Sequence, residues 1–125
     1  MIGIDIVKIS RIERMIERFG DRALEKFLDQ DEISLVKKTE TAAGFFAAKE
    51  AVSKALGVGI GKECSFFDIK IHKDSNNAPY FTLKKSLVEK FRITKTSLSI
   101  SHEKEFAIAI ASITSLKDDK KPLWH

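Results

Sequence analysis

The chain has 125 residues, 43% of them hydrophobic, a net charge of +4 and a pI near 9.2, which together describe one basic domain large enough to form a core. A single cysteine, Cys64, excludes an intrachain disulfide, and with three widely separated histidines, His72, His102 and His125, it builds no zinc site. The modest, spread charge points to acidic partners, and because the phenylalanines fall at core spacings rather than among the basic residues, an RNA-stacking sheet is disfavoured.

Gly3 to Val7 is a short apolar run with Asp5 in its middle, which predicts a buried strand holding a carboxylate. Ser10 with Glu13 forms a capping-box pattern that starts a helix, and Gly20 stops it. On that helix Arg11, Arg14 and Arg18 fall within about 60° of one another, Ile9, Ile12, Ile16 and Phe19 gather about 120° away, and Met15 lies between. Asp21 caps a second short helix through Leu28, and Asp29 or Asp31 a third through Lys38.

Thr39 or Thr41 then caps a long helix that is apolar nearly all round. Its polar interior positions are Lys49, Glu50, Ser53 and Lys54, which occupy roughly 140° of arc. Such a helix is buried, and its stripe must face something polar. Glu50 and Lys54 read in two ways: as an i,i+4 surface pair worth ~0.2–0.5 kcal/mol, or as an internal ion pair or site lining. Gly57, Gly59 and Gly61 end the helix in a loop. Gly61-Lys62 is no P-loop, because the glycine spacing is a residue short, Glu63 stands where Ser or Thr belongs, and the glycines follow a helix; a C-cap and turn fits better.

In the second half Phe67, Ile69 and Ile71 alternate with Asp68, Lys70 and His72, a half-buried strand that turns at Asp74 to Asn77 and pairs with Pro79 to Leu83. Lys84 to Arg92 is a short amphipathic helix with Leu87, Val88 and Phe91 inward. Thr96 to Ser101 and Phe106 to Thr114 form a final antiparallel pair, with His102 at the turn, and Ala107 to Ile113 suits a strand buried on both faces. The prediction is one α+β domain over 1–115, helices of the N-terminal half packed on an antiparallel meander from the C-terminal half. A charged tail, 116–125, follows it with Leu123 and Trp124 near its end and no assigned function. No signal peptide is read, since Asp5 interrupts the only candidate, and the longest apolar runs fall far short of the ~20 residues of a membrane span. A cytoplasmic, soluble protein that binds neither membrane nor nucleic acid is expected.

Several blocks, in this order, carry a more specific signal: Gly3-Ile4-Asp5-Ile6 with Arg11-Ile12; Phe46-Ala47-Ala48-Lys49-Glu50-Ala51 with Ser53-Lys54-Ala55 and Gly57 to Gly61; Ser65 to Ile69; Pro79-Tyr80; and Ser99-Ile100-Ser101-His102. The set resembles the bacterial holo-[acyl carrier protein] synthases, the short 4′-phosphopantetheinyl transferases. The resemblance implies transfer of 4′-phosphopantetheine from coenzyme A to a serine of apo-acyl carrier protein, with release of 3′,5′-ADP, in support of fatty acid biosynthesis. It implies Mg²⁺ held by Asp5 and Glu50, an ion suited to carboxylates and phosphate oxygens. Lys54 would neutralise or protonate the leaving phosphate, and the base would be Glu50, or Asp5 through a water on the metal. Coenzyme A contacts are implied for Lys49, Ser53, Lys54, Gly57, Lys62, Pro79, Ser101 and His102. Without the resemblance, His102 reads equally as a turn histidine bonded to backbone. Carrier docking is implied for Arg11, Arg14, Met15 and Arg18, in a homotrimer with active sites at subunit boundaries.

Two departures stand out. Phe45 occupies a position where the family commonly has arginine, which leaves Lys49 or Lys62 as the substitute cation, or weaker nucleotide binding; Asn77-Ala78 precedes Pro79 where relatives favour glycine and a basic residue. Two readings from other classes compete: a small basic nucleic-acid-binding domain, which leaves the buried acids without purpose, and a non-catalytic assembly module, which leaves the polar stripe unexplained.

Overall fold

A computed structural model of the protein describes residues 1–116 and 122–124. The first strand, β1 (Ile2–Lys8), runs directly into α1 (Ile9–Phe19). The helix begins ahead of Ser10, so the Ser10/Glu13 capping box does not form: Lys8 is the extended N-cap, with no side-chain cap. The N–H of Ile9 instead donates to the carbonyl of Glu105, 2.9 Å away, in the turn that ends at β5. Residues predicted as a second helix make two 3₁₀ turns, Gly20–Arg22 and Leu24–Lys26. Asp29 does cap α2 (Gln30–Ser34), in a reciprocal box with Glu32, but this helix stops well before Lys38. The long helix α3 (Thr39–Ala55) starts ahead of the predicted caps: Lys38 is its N-cap, without a side-chain cap, and Thr39 and Thr41 both lie within the helix.

Beyond the loop, Phe66–Asp68 is a 3₁₀ turn capped by Ser65, so β2 (Ile69–Lys73) begins later than the alternation suggests and Phe67 is exposed rather than inward. β2 pairs with β3 (Pro79–Leu83) as a separate two-stranded sheet. Helix α4 (Lys85–Phe91) buries Leu87 and leads to β4 (Ile93–His102) and β5 (Phe106–Ser115). The meander is thereby corrected: the main sheet has the order β1-β5-β4, antiparallel throughout, with the N-terminal strand beside the C-terminal one. Strand pairing at this sequence separation leaves no local signal.

Helix α3 lies across the inner face of this sheet, and small residues let it approach. A Cβ on Gly3 would stand 1.9 Å from the carbonyl oxygen of Ala51, so only glycine permits this contact. Ala107, Ala109 and Ala111 of β5 are fully buried beside it. Side chains alternate along a strand, so Asp5 shares the inner face with Gly3 and Val7. Within one chain β5 is buried on one face, and the burial of its second face expected of an interface strand would need a second subunit. The outward Ile108 and Ile110 of β5 lie beside Ile2, Ile4 and Ile6 of β1, and all five are exposed, Ile2 at 74%. Leu123 and Trp124 are exposed, while 117–121 and His125 lie outside the described residues.

Candidate active site

The close seam between β1 and α3 brings together Asp5, Glu50 and Lys54. Lys54 Nζ donates to Asp5 Oδ1 at 2.9 Å and to the carbonyl of Ile4 at 3.2 Å. The Asp5 side chain is 15% exposed and that of Lys54 51%, so the pair is dry on the acid's side and open on the amine's. Glu50 is half-buried; burial first, and the neighbouring Asp5 charge second, push its carboxyl above the ordinary range, against the opposing pull of Lys54 and Arg11. Arg11 places its guanidinium 4.9 Å from the centre of the Phe46 ring, one turn before Glu50 on α3. Arg11 therefore borders the acids as well as the surface of α1.

The donor set fits a hard divalent cation. Both acids are carboxylates, the Asp5 charge raises the cost of ionising Glu50, and a cation between them would remove that cost. Among the described residues no cluster of three His, Cys, Asp or Glu side chains occurs. Two carboxylates with remaining positions left to water and phosphate oxygens is the pattern that suits Mg²⁺.

Two stripe residues belong elsewhere. Lys49 is 0% exposed, and its Nζ donates to Phe27 O, Glu32 Oε1 and Phe66 O. Burial pushes its amine down, against the pull of Glu32. Ser53 is also buried, and its hydroxyl donates to the carbonyl of Glu50 within the helix. Neither side chain is on a surface that coenzyme A could reach, which corrects both assignments and removes Lys49 as a stand-in for the missing arginine. Gly57 takes φ +80° as the helix ends, and the N–H groups of Val58 and Gly59 donate to the carbonyl of Ser53, the C-cap turn expected. Lys62 follows, exposed in the loop.

Pro79 and His102 line a second cavity of about 230 Å³, with Gly44, Phe45, Lys73 and Asn77 among its walls. Phe45 is 1% exposed, so the departure from arginine puts a ring into the core. Ser101 faces the opposite side of β4 from His102, toward Ile6 and Ile108. Asp5 and Ile100 both lie opposite Ala109 in the register, so β4 and the His102 cavity stand two strand spacings, about 10 Å, from the acids. The structure thus brings Asp5, Glu50, Lys54 and Arg11 into one group and Pro79 and His102 into another.

On α1, Arg14 and Arg18 are exposed and Met15 half-buried, as the wheel predicts. Phe19, assigned to the inner arc, is 41% exposed with Arg18 and Lys26 over its ring at 5.1 and 4.1 Å. Sequence reasoning missed Lys26 and Glu32. Their partners are remote in sequence; only the Asp29/Glu32 capping spacing hinted that Glu32 was structural.

A β–α seam of two acids and a lysine, under a three-stranded antiparallel sheet, defines the class: the chain belongs to the 4′-phosphopantetheinyl transferase superfamily, whose family model matches residues 1–111, and within it to the holo-[acyl-carrier-protein] synthases. It is 56% identical over 120 residues to the holo-[acyl-carrier-protein] synthase of Sulfurimonas denitrificans, covering 96% of this chain and 99% of the relative. With that of Nautilia profundicola it shares 60% identity over 109 residues, 87% and 95% of the two chains. The crystal structure of the Helicobacter pylori synthase in complex with coenzyme A superposes with a TM-score of 0.88 at 55% identity, covering 91% of this chain and all of that one. The Bacillus anthracis synthase in complex with CoA (3′,5′-ADP) gives 0.77 at 42% identity, over 91% and 95%.

Proposed function

We propose that the protein transfers the 4′-phosphopantetheine arm of coenzyme A to a serine hydroxyl of an apo-acyl carrier protein. The serine oxygen attacks the phosphorus that bears the pantetheine arm, the bond from that phosphorus to the bridging oxygen breaks, and 3′,5′-ADP leaves with the bonding pair. The observation that carries this is the Asp5, Glu50 and Lys54 cluster at the β1–α3 seam.

Asp5 and Glu50 would hold Mg²⁺, which when bound supplies charge neutralisation on the pyrophosphate and a template for its oxygens. Lys54 spends two of its three donors on Asp5 and Ile4, which fixes the ammonium while its exposed side keeps a donor for the departing phosphate. The proton of the serine hydroxyl passes to a carboxylate of this pair, to Glu50 directly or to Asp5 through a water. Arg11, beside Glu50, offers a fixed charge to the phosphates or to the carrier's acids.

The exposed isoleucine face of β1 and β5 supports a homotrimer, and the spacing between the acid group and the His102 cavity supports sites at subunit boundaries. Assembly would cover the face that one chain leaves open. No described helix is long and apolar enough to cross a membrane, and a cytoplasmic role in supplying holo-carrier protein for fatty acid synthesis goes with the reaction. The nucleic-acid alternative leaves the paired acids without a task. Incubation with coenzyme A, Mg²⁺ and an apo-acyl carrier protein should add the mass of phosphopantetheine to the carrier and release 3′,5′-ADP; no gain with folded protein and a competent carrier sinks the reading.

A further inference from the structure

Among the described residues, the densest buried polar network lies on the side of α3 away from β1. All three donors of Lys49 are taken, by Phe27 O and Glu32 Oε1 at 2.8 Å and Phe66 O at 3.0 Å. Glu32, 1% exposed, accepts also from the N–H of Asp29 on Oε1 and of Ile71 on Oε2, each at 2.8 Å. One helix is thereby tied to two turns, to α2 and to β2, by groups that take no part in the reaction proposed above.

We infer that the Glu32–Lys49 pair is a positioning device that sets the rotation of α3 about its own axis and so holds Glu50 opposite Asp5. The inference rests on the reading of those two acids as the reacting pair. Three features support it. Phe45, Phe46 and Val52 are large buried groups of α3, but where the helix meets the sheet it presents Gly44, Ala51 and Ala55 to Ile100 and Gly3, and the sheet presents Ala107, Ala109 and Ala111, so on that side the ridges and grooves that ordinarily fix a helix's roll are shallow. Gly3 sets how closely α3 approaches β1, through the backbone of Ala51 and Ala55, but backbone contact alone does not stop it turning. Lys49 lies about 200° around the helix from Ala51, so the two contacts grip α3 from nearly opposite sides, and Glu50 projects between them at about 100° from each.

The lever is long enough to matter. A roll of about 20° moves a carboxylate roughly 6 Å from the helix axis by about 2 Å, several times the ~0.5 Å tolerance of a working site. Desolvation offsets most of the attraction in a buried ion pair, so such a pair contributes little net stability, whereas its directional hydrogen bonds fix geometry.

The double variant Glu32→Gln/Lys49→Met tests this without stranding a buried charge, as Lys49→Met alone would. It should unfold cooperatively within about 5 °C of the wild type. Mn²⁺ binding to the substrate-free protein, followed by electron paramagnetic resonance, should weaken about tenfold or more, with a similar loss in kcat. The KM for carrier protein, set on α1, should stay within about twofold. The nuclear Overhauser contact between the Gly3 α-protons and the Ala55 amide should weaken or spread. Wild-type Mn²⁺ affinity with an unchanged Gly3–Ala55 contact would overturn the proposal, and so would losses in kcat, KM and metal binding that all track a fall in folded fraction. If the wild type itself neither binds Mn²⁺ nor transfers phosphopantetheine, the functional reading fails, and the Gly3–Ala55 contact alone decides whether the pair sets the roll.

Discussion

Lys49 and Lys54 stand five residues apart on one helix and meet opposite fates, because one amine finds a buried carboxylate and the other an acid at an open seam. At the seam, removing charge should remove chemistry. Asp5→Asn is expected to lower kcat roughly 100-fold or more with the fold intact, checked by a carrier mass-shift assay alongside circular dichroism; turnover near wild type at saturating Mg²⁺ would remove Asp5 from the site. Lys54→Ala should cost kcat roughly 100-fold while the KM for coenzyme A changes little, since the ammonium matters most as the bond breaks. Glu50 adds a stability signature. Its pKa is raised in the folded protein, so folding binds its proton more tightly than the unfolded chain does. Ionised Glu50 therefore costs stability above the folded pKa, and the cost fades as pH falls through that value and is gone below the unfolded one. Glu50→Gln should melt about 2 °C above the metal-free wild type at pH 7, a small gap because Glu50 is only half-buried. The gap should close near pH 4. An inactive variant with no neutral-pH gain would put the raised pKa in doubt.

Among the elements, β1 and α3 make the site by approaching more closely than side chains allow. Gly3→Ala places a methyl against the Ala51 carbonyl, and backbone on both sides leaves nothing flexible to yield. It should destabilise by about 1–3 kcal/mol, read by urea denaturation, and lower kcat as α3 lifts away from Asp5. If the exposed arginines of helix α1 meet the carrier, as the family resemblance implies, reversing their charge has a kinetic signature. Arg14→Glu should raise the KM for carrier protein severalfold and flatten its salt dependence. Arg11→Glu should lower kcat too, because Arg11 also borders Glu50. How much of this was legible follows from range. Asp5, Glu50 and Lys54 stood out as polar groups in apolar segments, and the β2–β3 hairpin from its period and turn. The roles of Lys49 and Ser53 were not readable, because a stripe gives angles but not what lies across from them. The start of α1 misled because Ser10 and Glu13 match a capping box, while the end of β1 and the Glu105 carbonyl decide where the helix begins. Likewise nothing near Ile2 to Lys8 tells that its sheet partner is the last strand.

For the whole molecule, if the acids and the His102 cavity serve one reaction as proposed, the decisive question is whether the two that meet belong to one chain. They lie about 10 Å apart across the sheet, and the isoleucine face on β1 and β5 is left to solvent. If three copies close on that face, Asp5 and Glu50 of one subunit can meet His102 and Pro79 of the next, and a lesion in each half becomes separable. Asp5→Asn and His102→Ala should each be weakly active alone. Unfolded together in equal amounts and refolded, they form mixed trimers in which a boundary is intact whenever a His102→Ala subunit lends its acids to an Asp5→Asn neighbour, about a quarter of boundaries by chance. Activity should recover to about that fraction of wild type. Sites built within single chains give no recovery, since every chain then carries one lesion. Adding Ile4→Lys and Ile110→Lys to both variants sharpens the test: charge on the exposed face should yield monomers by light scattering and abolish the recovery, whereas recovery that persists in monomers would rule out sites at subunit boundaries.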